Sequence, residues 1–222
     1  MNLILNIDTA LETASVSLAN NGEVIMSNSN GQQKDHAAWL HPAVNDLLKE
    51  TGFTVGDLAA IAISNGPGSY TGLRVGLAAA KGYCYALNKP LITVGTLEIM
   101  AWSVKEQATD LICPLIDARR MEAYVAVYDK MVVEKIPPHV EILNENSFSI
   151  FLETSAILFC GSGIKKIPSL FRHPEAHLAE MGTTVPAFAQ LSSNRFIGKK
   201  FADVAYTEPL YIKEFFTPLR SN

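Results

Sequence analysis

The chain has 222 residues, of which 48% are hydrophobic and 18% are charged, values that exclude a disordered protein and are typical of a globular one. Its formal net charge of -4 excludes a strongly basic protein that binds nucleic acid unaided, because such binding needs a cationic face. The nearest basic groups are Lys165–Lys166 and the cluster Arg195, Lys199 and Lys200, and groups of this kind more often form solvated surface.

The first residues and the cysteines indicate where the protein works. The opening stretch MNLILNIDTALETASVSL has no basic flank, and its apolar run breaks at Asp8, a pattern unlike that of a signal peptide. The apolar runs are also too short to cross a membrane. Cys84, Cys113 and Cys160 lie in apolar runs without a CxxC pair, which indicates buried reduced thiols. The sequence therefore predicts a cytoplasmic protein with no membrane association.

Three short strands and a helix are predicted at the start of the chain. The strands are residues 3–8, 13–18 and 23–27, the last two separated by an Asn-Asn-Gly turn that favours a hairpin. Residues spaced along one helical face follow, with Pro42 close enough to the helix start to be tolerated. The residues of that face are Leu40, Val44, Leu47 and Leu48.

A glycine-rich turn follows the next predicted strand, AAIAIS at residues 59–64. Gly66-Pro67-Gly68 fits neither the Walker spacing nor the Rossmann G-x-G-x-x-G spacing. A helix N-terminus capped by Ser69 could still bind an anion through free N–H groups. The alternative is that the glycines only permit a tight strand-to-helix turn. The spacing favours the tight turn and leaves the anion site open.

The helix after this turn, Gly72–Leu87, is apolar on nearly all sides. Leu73, Leu77, Cys84 and Leu87 form one stripe suited to a core, and only Arg74 and Lys81 mark a polar edge. The neighbouring stripe of small residues and one tyrosine predicts close contact with a related protein, the alternative being burial within the chain's own fold. That stripe contains Gly72, Gly76, Ala79, Tyr83 and Ala86.

The second half of the chain repeats the plan of the first after a further helical pattern, Leu97–Val104. Residues 113–117 end in Asp117 as residues 3–8 end in Asp8, and an alternating run and a turn follow in each case. Two such lobes are the plan of the actin-like (ribonuclease H-like) ATPase fold, in which each lobe is a mixed sheet with helices. We predict lobes at residues 1–108 and 109–222, with the stretch from Glu208 onward packing back on the first. Chance similarity between two α/β openings is the alternative.

Five segments of the chain form a recognisable set: ILNIDTALETASVSL, HAAWLHPAVNDLL, NGPGSYTGLRVGLAAAKG, IDARRMEAYVAVY and EPLYIKEF. Together they resemble the bacterial TsaB family, formerly called YeaZ. The resemblance implies an actin-like two-lobe fold and a subunit of the machinery that places a threonylcarbamoyl group on N6 of the adenosine beside the anticodon of tRNA. It also implies a TsaD-like catalytic partner, a TsaE-like ATPase and a homodimer, with tRNA contacted indirectly. An older implied label is a metal-dependent glycoprotease.

The residues of this chain give little support for chemistry of its own. The resemblance implies an H-x3-H metal pair in the catalytic relative, where this chain offers His36 and His41. These point roughly 140° apart on a helix and cannot share an ion. His173 and His177 have the right spacing but no evident third ligand. Side chains rather than glycines follow both Asp8 and Asp117, although the arginines after Asp117 could pair with phosphate.

We therefore predict a non-catalytic scaffold that docks the catalytic partner or a second copy through the helix Gly72–Leu87. The alternatives are an ATP-binding transferase, a metal-dependent peptidase, and a homodimer without a tRNA role. The weak candidates for cofactor binding are Asp8, Gly66, Gly68 and Ser69, with ATP or ADP at the partner interface left open. Burial of Gly76 and Ala79 in their own lobe, beside a well-formed phosphate cleft, would contradict the scaffold hypothesis. The predicted interface residues are Leu40, Val44, Gly72, Arg74, Gly76, Ala79 and Tyr83.

Overall fold

Two five-stranded sheets with the same topology form the framework of the protein, as described by a computed structural model for residues 2–32 and 35–213. The first sheet contains β1 (Leu3–Asp8), β2 (Ala14–Asn20), β3 (Glu23–Asn30), β4 (Ala60–Ser64) and β5 (Leu91–Val94). The second contains β6 (Leu111–Asp117), β7 (Glu122–Asp129), β8 (Glu134–Ile142), β9 (Ile157–Cys160) and β10 (Ala176–Leu178).

The strand order shows the duplication directly. It is β3-β2-β1-β4-β5 in the first sheet and β8-β7-β6-β9-β10 in the second. In each sheet the first three strands in the chain pair antiparallel, and the last two join in parallel. The predicted duplicated actin-like two-lobe fold is confirmed.

Five α-helices cover these sheets in the described residues: α1 (His36–Thr51), α2 (Tyr70–Leu87), α3 (Thr96–Val104), α4 (Ser149–Leu152) and α5 (Val185–Ile197). At the start of α2 the hydroxyl of Ser69 accepts a hydrogen bond from the N–H of Gly72 at 3.3 Å, as a cap does. α1 ends at Gly52, which is left-handed at φ 73°. Pro42 lies beyond the first turn of α1, so its expected position near the start is wrong; it cannot donate to the Ala38 carbonyl.

The helices divide between the two faces of the first sheet. α1 and α2 share a core with one face, through residues such as Leu5, Leu47 and Leu77. α5 packs on the opposite face, where Phe188 meets Ile4. α3 packs against α5 and also contacts β6 of the second sheet. These two helices therefore connect the two lobes. α5 thus belongs to the second half of the chain but covers the first sheet, and the division at residues 108 and 109 stays a prediction.

The chain after α5 runs back along the first lobe. Ala202 forms an isolated β-bridge with Leu91, and the N–H of Leu210 donates to the carbonyl of Asn65 at 2.8 Å. We call residues 202–211 the strap. The sequence predicts that the stretch from Glu208 onward packs back on the first lobe. Residues 208–213 of that stretch belong to the described chain, and residues 214–222 lie outside it.

The three cysteines are buried and free. Burial raises the pKa of Cys84 to about 11 and that of Cys160 to about 12, so both remain thiols near neutral pH. The predicted burial of the cysteines is confirmed. Among the described residues, no helix has the length and apolar character needed to cross a membrane.

Candidate functional site: the interlobe cleft and an exposed helix face

A cleft of about 1540 Å³ lies where β1 and β6 end. We call it the interlobe cleft. Its wall from the first lobe includes Asp8 and the glycine-rich turn, and its wall from the second includes Asp117 and the turn after it. The two carboxylates that the sequence aligns therefore face one cleft. Their surroundings differ.

Asp8 is sealed into the floor of the first lobe, with 4% of its surface exposed. Its Oδ1 accepts a hydrogen bond from the N–H of Ala10 at 3.0 Å. Burial raises the pKa of the Asp8 carboxyl, and hydrogen bonds from Ala10 and Ser64 oppose that rise. A carboxyl held in this way supports the turn between β1 and β2 and is a poor anchor for an external ligand.

The glycine-rich turn packs against that same β1–β2 turn. A Cβ added at Gly68 would lie 2.3 Å from the carbonyl oxygen of Ala10, and one at Gly72 would lie 2.0 Å from that of Thr9. The N–H of Ser69 already donates to Ala10 at 2.7 Å. The N–H groups of Ser69 and Gly72, two donors that a phosphate at this helix start would use, are therefore already bonded within the lobe, and the close packing of the turn does not fit the phosphates of the ATP that the fold family implies. The structure favours the tight-turn interpretation of these glycines.

Gly72, Gly76 and Ala79 of the small-residue stripe on α2 also face inward, whereas Ala86 at its end is exposed. A Cβ at Gly76 would lie 2.2 Å from Oγ1 of Thr9, and Ala79 is 8% exposed. Leu40 and Val44 of α1 are each 1% exposed. The expectation that Gly72, Gly76, Ala79, Leu40 and Val44 form a surface for a partner is therefore corrected. They are core residues, because α2 must approach the β1–β2 turn closely enough for backbone contact.

The exposed side of α2 lies about a quarter-turn away from this stripe. A Cβ at Gly82 would meet no atom within 4 Å, and Tyr85 is 87% exposed. Across the groove to α1, Nδ1 of His41 and the hydroxyl of Tyr83 lie 2.9 Å apart. We call this surface the α1–α2 face; from α2 it contains Thr71, Ala78, Gly82, Tyr85 and Ala86, and from α1 it contains Ala37, Ala38 and His41.

The two remaining predicted interface residues lie at the borders of this face. Tyr83 is half-buried beside α1. Arg74 is exposed on the side of the strap, where its Nε donates to the hydroxyl of Tyr211 at 2.9 Å and its guanidinium stacks on Tyr70 at 4.0 Å. Sequence reasoning missed Ala78, Gly82 and Tyr85. The available signal was the position of Arg74 and Lys81, which mark the solvent side of the same helix.

The turn of the second lobe, residues 118–121, is exposed and charged. Oδ1 of Asp117 lies 2.5 Å from Nζ of Lys166 and accepts the N–H of Arg119 at 2.6 Å. The hydrogen bond from Lys166 lowers the pKa of Asp117. Arg119 and Arg120 both have left-handed backbones, at φ 67° and φ 50°. The second lobe thus directs cationic groups to the cleft, whereas the described residues that line it from the first lobe include no lysine or arginine.

The histidines do not assemble a metal site. Within residues 2–32 and 35–213, no group of three or more His, Cys, Asp or Glu side chains is placed to hold a metal ion. His36 is buried, and neither of its ring nitrogens has a hydrogen-bond partner, whereas His41 is exposed on α1. Nδ1 of His173 accepts the N–H of Glu175 at 3.2 Å, and His177 lies on β10.

Two sheets of identical topology around a cleft define an actin-like two-lobe protein. A family model described as "TsaD: tRNA N6-adenosine threonylcarbamoyltransferase" matches residues 23–206. The TsaB proteins of Bacillus subtilis (strain 168) and Escherichia coli (strain K12), named for tRNA threonylcarbamoyladenosine biosynthesis, are each 29% identical over 95% of this chain and over 93% and 94% of their own lengths. The chain belongs to the TsaB (YeaZ) family, within the larger group that the TsaD model describes.

The same fold is found in a solved relative. The structure of YeaZ from Pseudomonas aeruginosa covers 95% of this chain and 100% of its own length, with a TM-score of 0.78 and 24% sequence identity. This likeness supports the fold predicted from the sequence.

Proposed function

We propose that this chain is a non-catalytic scaffold subunit in the biosynthesis of threonylcarbamoyladenosine in tRNA. The names of its TsaB relatives support the process. The observation that carries the non-catalytic role is the contact of Gly68 and Gly72 with the backbone of the β1–β2 turn, which leaves no room for a phosphate between these glycines and that turn. The roomy interlobe cleft alone does not supply a phosphate site on that side.

The α1–α2 face is the surface that we propose for docking. Ala78 and Gly82 lie on the exposed side of α2, and small residues at this spacing let another helix approach closely. Tyr85 beside them offers a large exposed aromatic group of the kind that anchors protein interfaces. The helix proposed from the sequence is retained, but the docking face lies about a quarter-turn around it from the predicted stripe.

The partner that we propose for this face is a catalytic subunit of the TsaD type. Because this chain itself matches the TsaD family model over residues 23–206, we expect such a partner to share its fold and to present an equivalent helix pair. Two related helix pairs can pack together in a nearly symmetric four-helix contact. A second copy of this chain could occupy the same face, and a TsaE-like ATPase would bind elsewhere on the assembly.

The docking proposal is tested by mixing the chain with its TsaD-type subunit and measuring the mass of the species formed. Wild type should give a one-to-one complex. Gly82→Leu should abolish the complex without loss of stability, because no atom lies within 4 Å of the added Cβ. Gly31→Leu is the matched control, since that glycine is equally open and lies outside both helices. Equal pairing by wild type and Gly82→Leu would contradict the proposed face.

The process and the absence of activity need separate tests. Deleting the gene should remove the modified adenosine, measured by mass spectrometry of digested tRNA; unchanged levels would refute the proposed process. The purified chain alone should neither bind ATP tightly nor hydrolyse it. Tight binding with turnover would instead support an active enzyme of the actin-like fold.

A further inference from the structure

The turn between β6 and β7 carries two consecutive arginines in a backbone conformation that favours glycine. Arg119 and Arg120 have φ values of 67° and 50°, whereas Met121 beside them has no positive φ. Residues with a Cβ seldom adopt this region, and glycine would relieve the strain. Positive φ at two consecutive residues also occurs in ordinary hairpin turns, but there Asn, Asp and Gly are preferred, and strained residues cluster at binding and active sites.

The cationic groups of this turn are not used in ion pairs. Lys166 pairs with Asp117, and Lys213 pairs with Glu122, so the two acids of the second-lobe wall already have partners. Arg119, Arg120 and the exposed Lys165 take part in none of the ion pairs within 4.0 Å found among the described residues. Arg119 and Arg120 attract Asp117 and Glu122 only at longer range, so three cationic side chains without a close acidic partner face the cleft, in a chain whose net charge is -4.

All three side chains line the interlobe cleft. The opposite wall offers the hydroxyls of Thr13 and Ser15 and a single exposed acid, Glu12, while the glycine-rich turn is closed by backbone contact. A nucleotide held between the turns of the two lobes would therefore lack a phosphate-binding turn on the side of the first lobe. The volume of about 1540 Å³ also exceeds the roughly 300–1000 Å³ of usual small-molecule sites. These features suit a segment of a polymer whose phosphates contact one wall.

We propose that Arg119, Arg120 and Lys165 bind phosphodiester groups of the tRNA. This inference rests on the proposed function, which places tRNA in the same assembly. The planar guanidinium groups can hold phosphate oxygens through paired hydrogen bonds. Because the chain is acidic as a whole, the contact is local and adds to the binding surface of the catalytic subunit. It contacts the tRNA backbone and does not select the base.

The test measures the affinity of the one-to-one complex for an unmodified tRNA transcript at several salt concentrations. Arg119→Gly/Arg120→Gly removes both guanidinium groups and suits the left-handed turn, so the fold should be kept. Affinity should fall roughly tenfold, and the slope of log affinity against log salt should decrease by between about 1 and 2. Lys199→Gly/Lys200→Gly, remote in sequence and equal in charge change, is the matched control and should change neither quantity.

The outcomes separate this inference from the proposed function. Arg119→Lys/Arg120→Lys should recover most of the affinity and the full salt slope, because it restores the charge, and Lys165→Gln should weaken binding by itself. Unchanged tRNA affinity in both Arg119→Gly/Arg120→Gly and Lys165→Gln, with the one-to-one complex intact, would overturn the phosphate contact and leave the proposed function unaffected. The phosphate contact would also be overturned if the control variant lost as much tRNA affinity as Arg119→Gly/Arg120→Gly. It would be overturned too if Arg119→Gly/Arg120→Gly weakened the binding of ATP and left that of tRNA unchanged. Loss of the complex would instead contradict the proposed function.

Discussion

The turns after β1 and β6 occupy equivalent positions in the two lobes and differ in nearly every physical property. Asp8 is buried, its turn is packed under glycines, and burial raises its pKa. Asp117 is half-exposed, its pKa is lowered by Lys166, and its turn carries arginines into the cleft. Equal topology therefore does not imply equal chemistry. The first turn holds the lobe together, and the second is free to meet a ligand.

The contact of the first turn with α2 is expected to give the largest effect. Gly72→Ala places a Cβ 2.0 Å from the carbonyl oxygen of Thr9, and backbone at that distance cannot move without strain. We expect a loss of about 3 kcal/mol in the free energy of unfolding, measured by urea titration. Gly82→Ala on the exposed side of the same helix should instead gain up to about 1 kcal/mol. Equal effects at the two glycines would show that the β1–β2 turn does not limit the approach of α2.

The strained backbone of the turn after β6 predicts a substitution that increases, rather than decreases, the free energy of unfolding. Arg119→Gly should raise the free energy of unfolding by about 1 kcal/mol, because glycine adopts φ 67° without a Cβ clash. Met121→Gly in the same turn, where φ is not positive, should be neutral or destabilising by about 0.5 kcal/mol. Thermal and urea unfolding of the two variants make the comparison. A loss of stability in Arg119→Gly would mean that the arginine supports the fold.

The buried carboxyl of the first lobe should destabilise the fold at neutral pH. Asp8→Asn should raise the free energy of unfolding at pH 7 by more than the roughly 0.5 kcal/mol typical of surface changes. Because the pKa of Asp8 is raised in the folded state, wild type should recover stability as the pH falls through that pKa toward 3.8, where the unfolded chain also takes up the proton. The advantage of the variant should therefore shrink in acid. A constant advantage at every pH would contradict burial as the cause.

The exposed carboxyl of the second lobe should show the smallest effect and the opposite pH response. Asp117→Asn should lower the free energy of unfolding by less than about 0.5 kcal/mol, since the ion pair with Lys166 is screened by solvent. The lowered pKa means that this contribution is present above pH 3.8 and is lost as the pH falls through the folded-state value. Urea titrations across the acid range detect it. An effect as large as that of Asp8→Asn would erase the contrast between the lobes.

Much of the fold was predictable because local patterns and the duplication agree. The hairpins, the strands that end in Asp8 and Asp117, and the helices α1, α2 and α3 follow from periodicity and turn residues. β5, β10 and α5 were not predicted. β10 has three residues and depends on pairing with β9, and α5 is defined by packing on a sheet from the other half of the chain. Such long-range contacts leave little trace in a short window of sequence.

The sequence by itself determined the family and the two related halves, because motifs and hydrophobic spacing are local properties. It could not determine which side of α2 faces the core. Both sides carry small or apolar residues, and the choice depends on the backbone of Thr9 and Ala10, more than fifty residues earlier in the chain. Only the tertiary structure brings that turn against Gly72 and Gly76, and close packing there leaves Gly82 and Tyr85 for solvent or a partner.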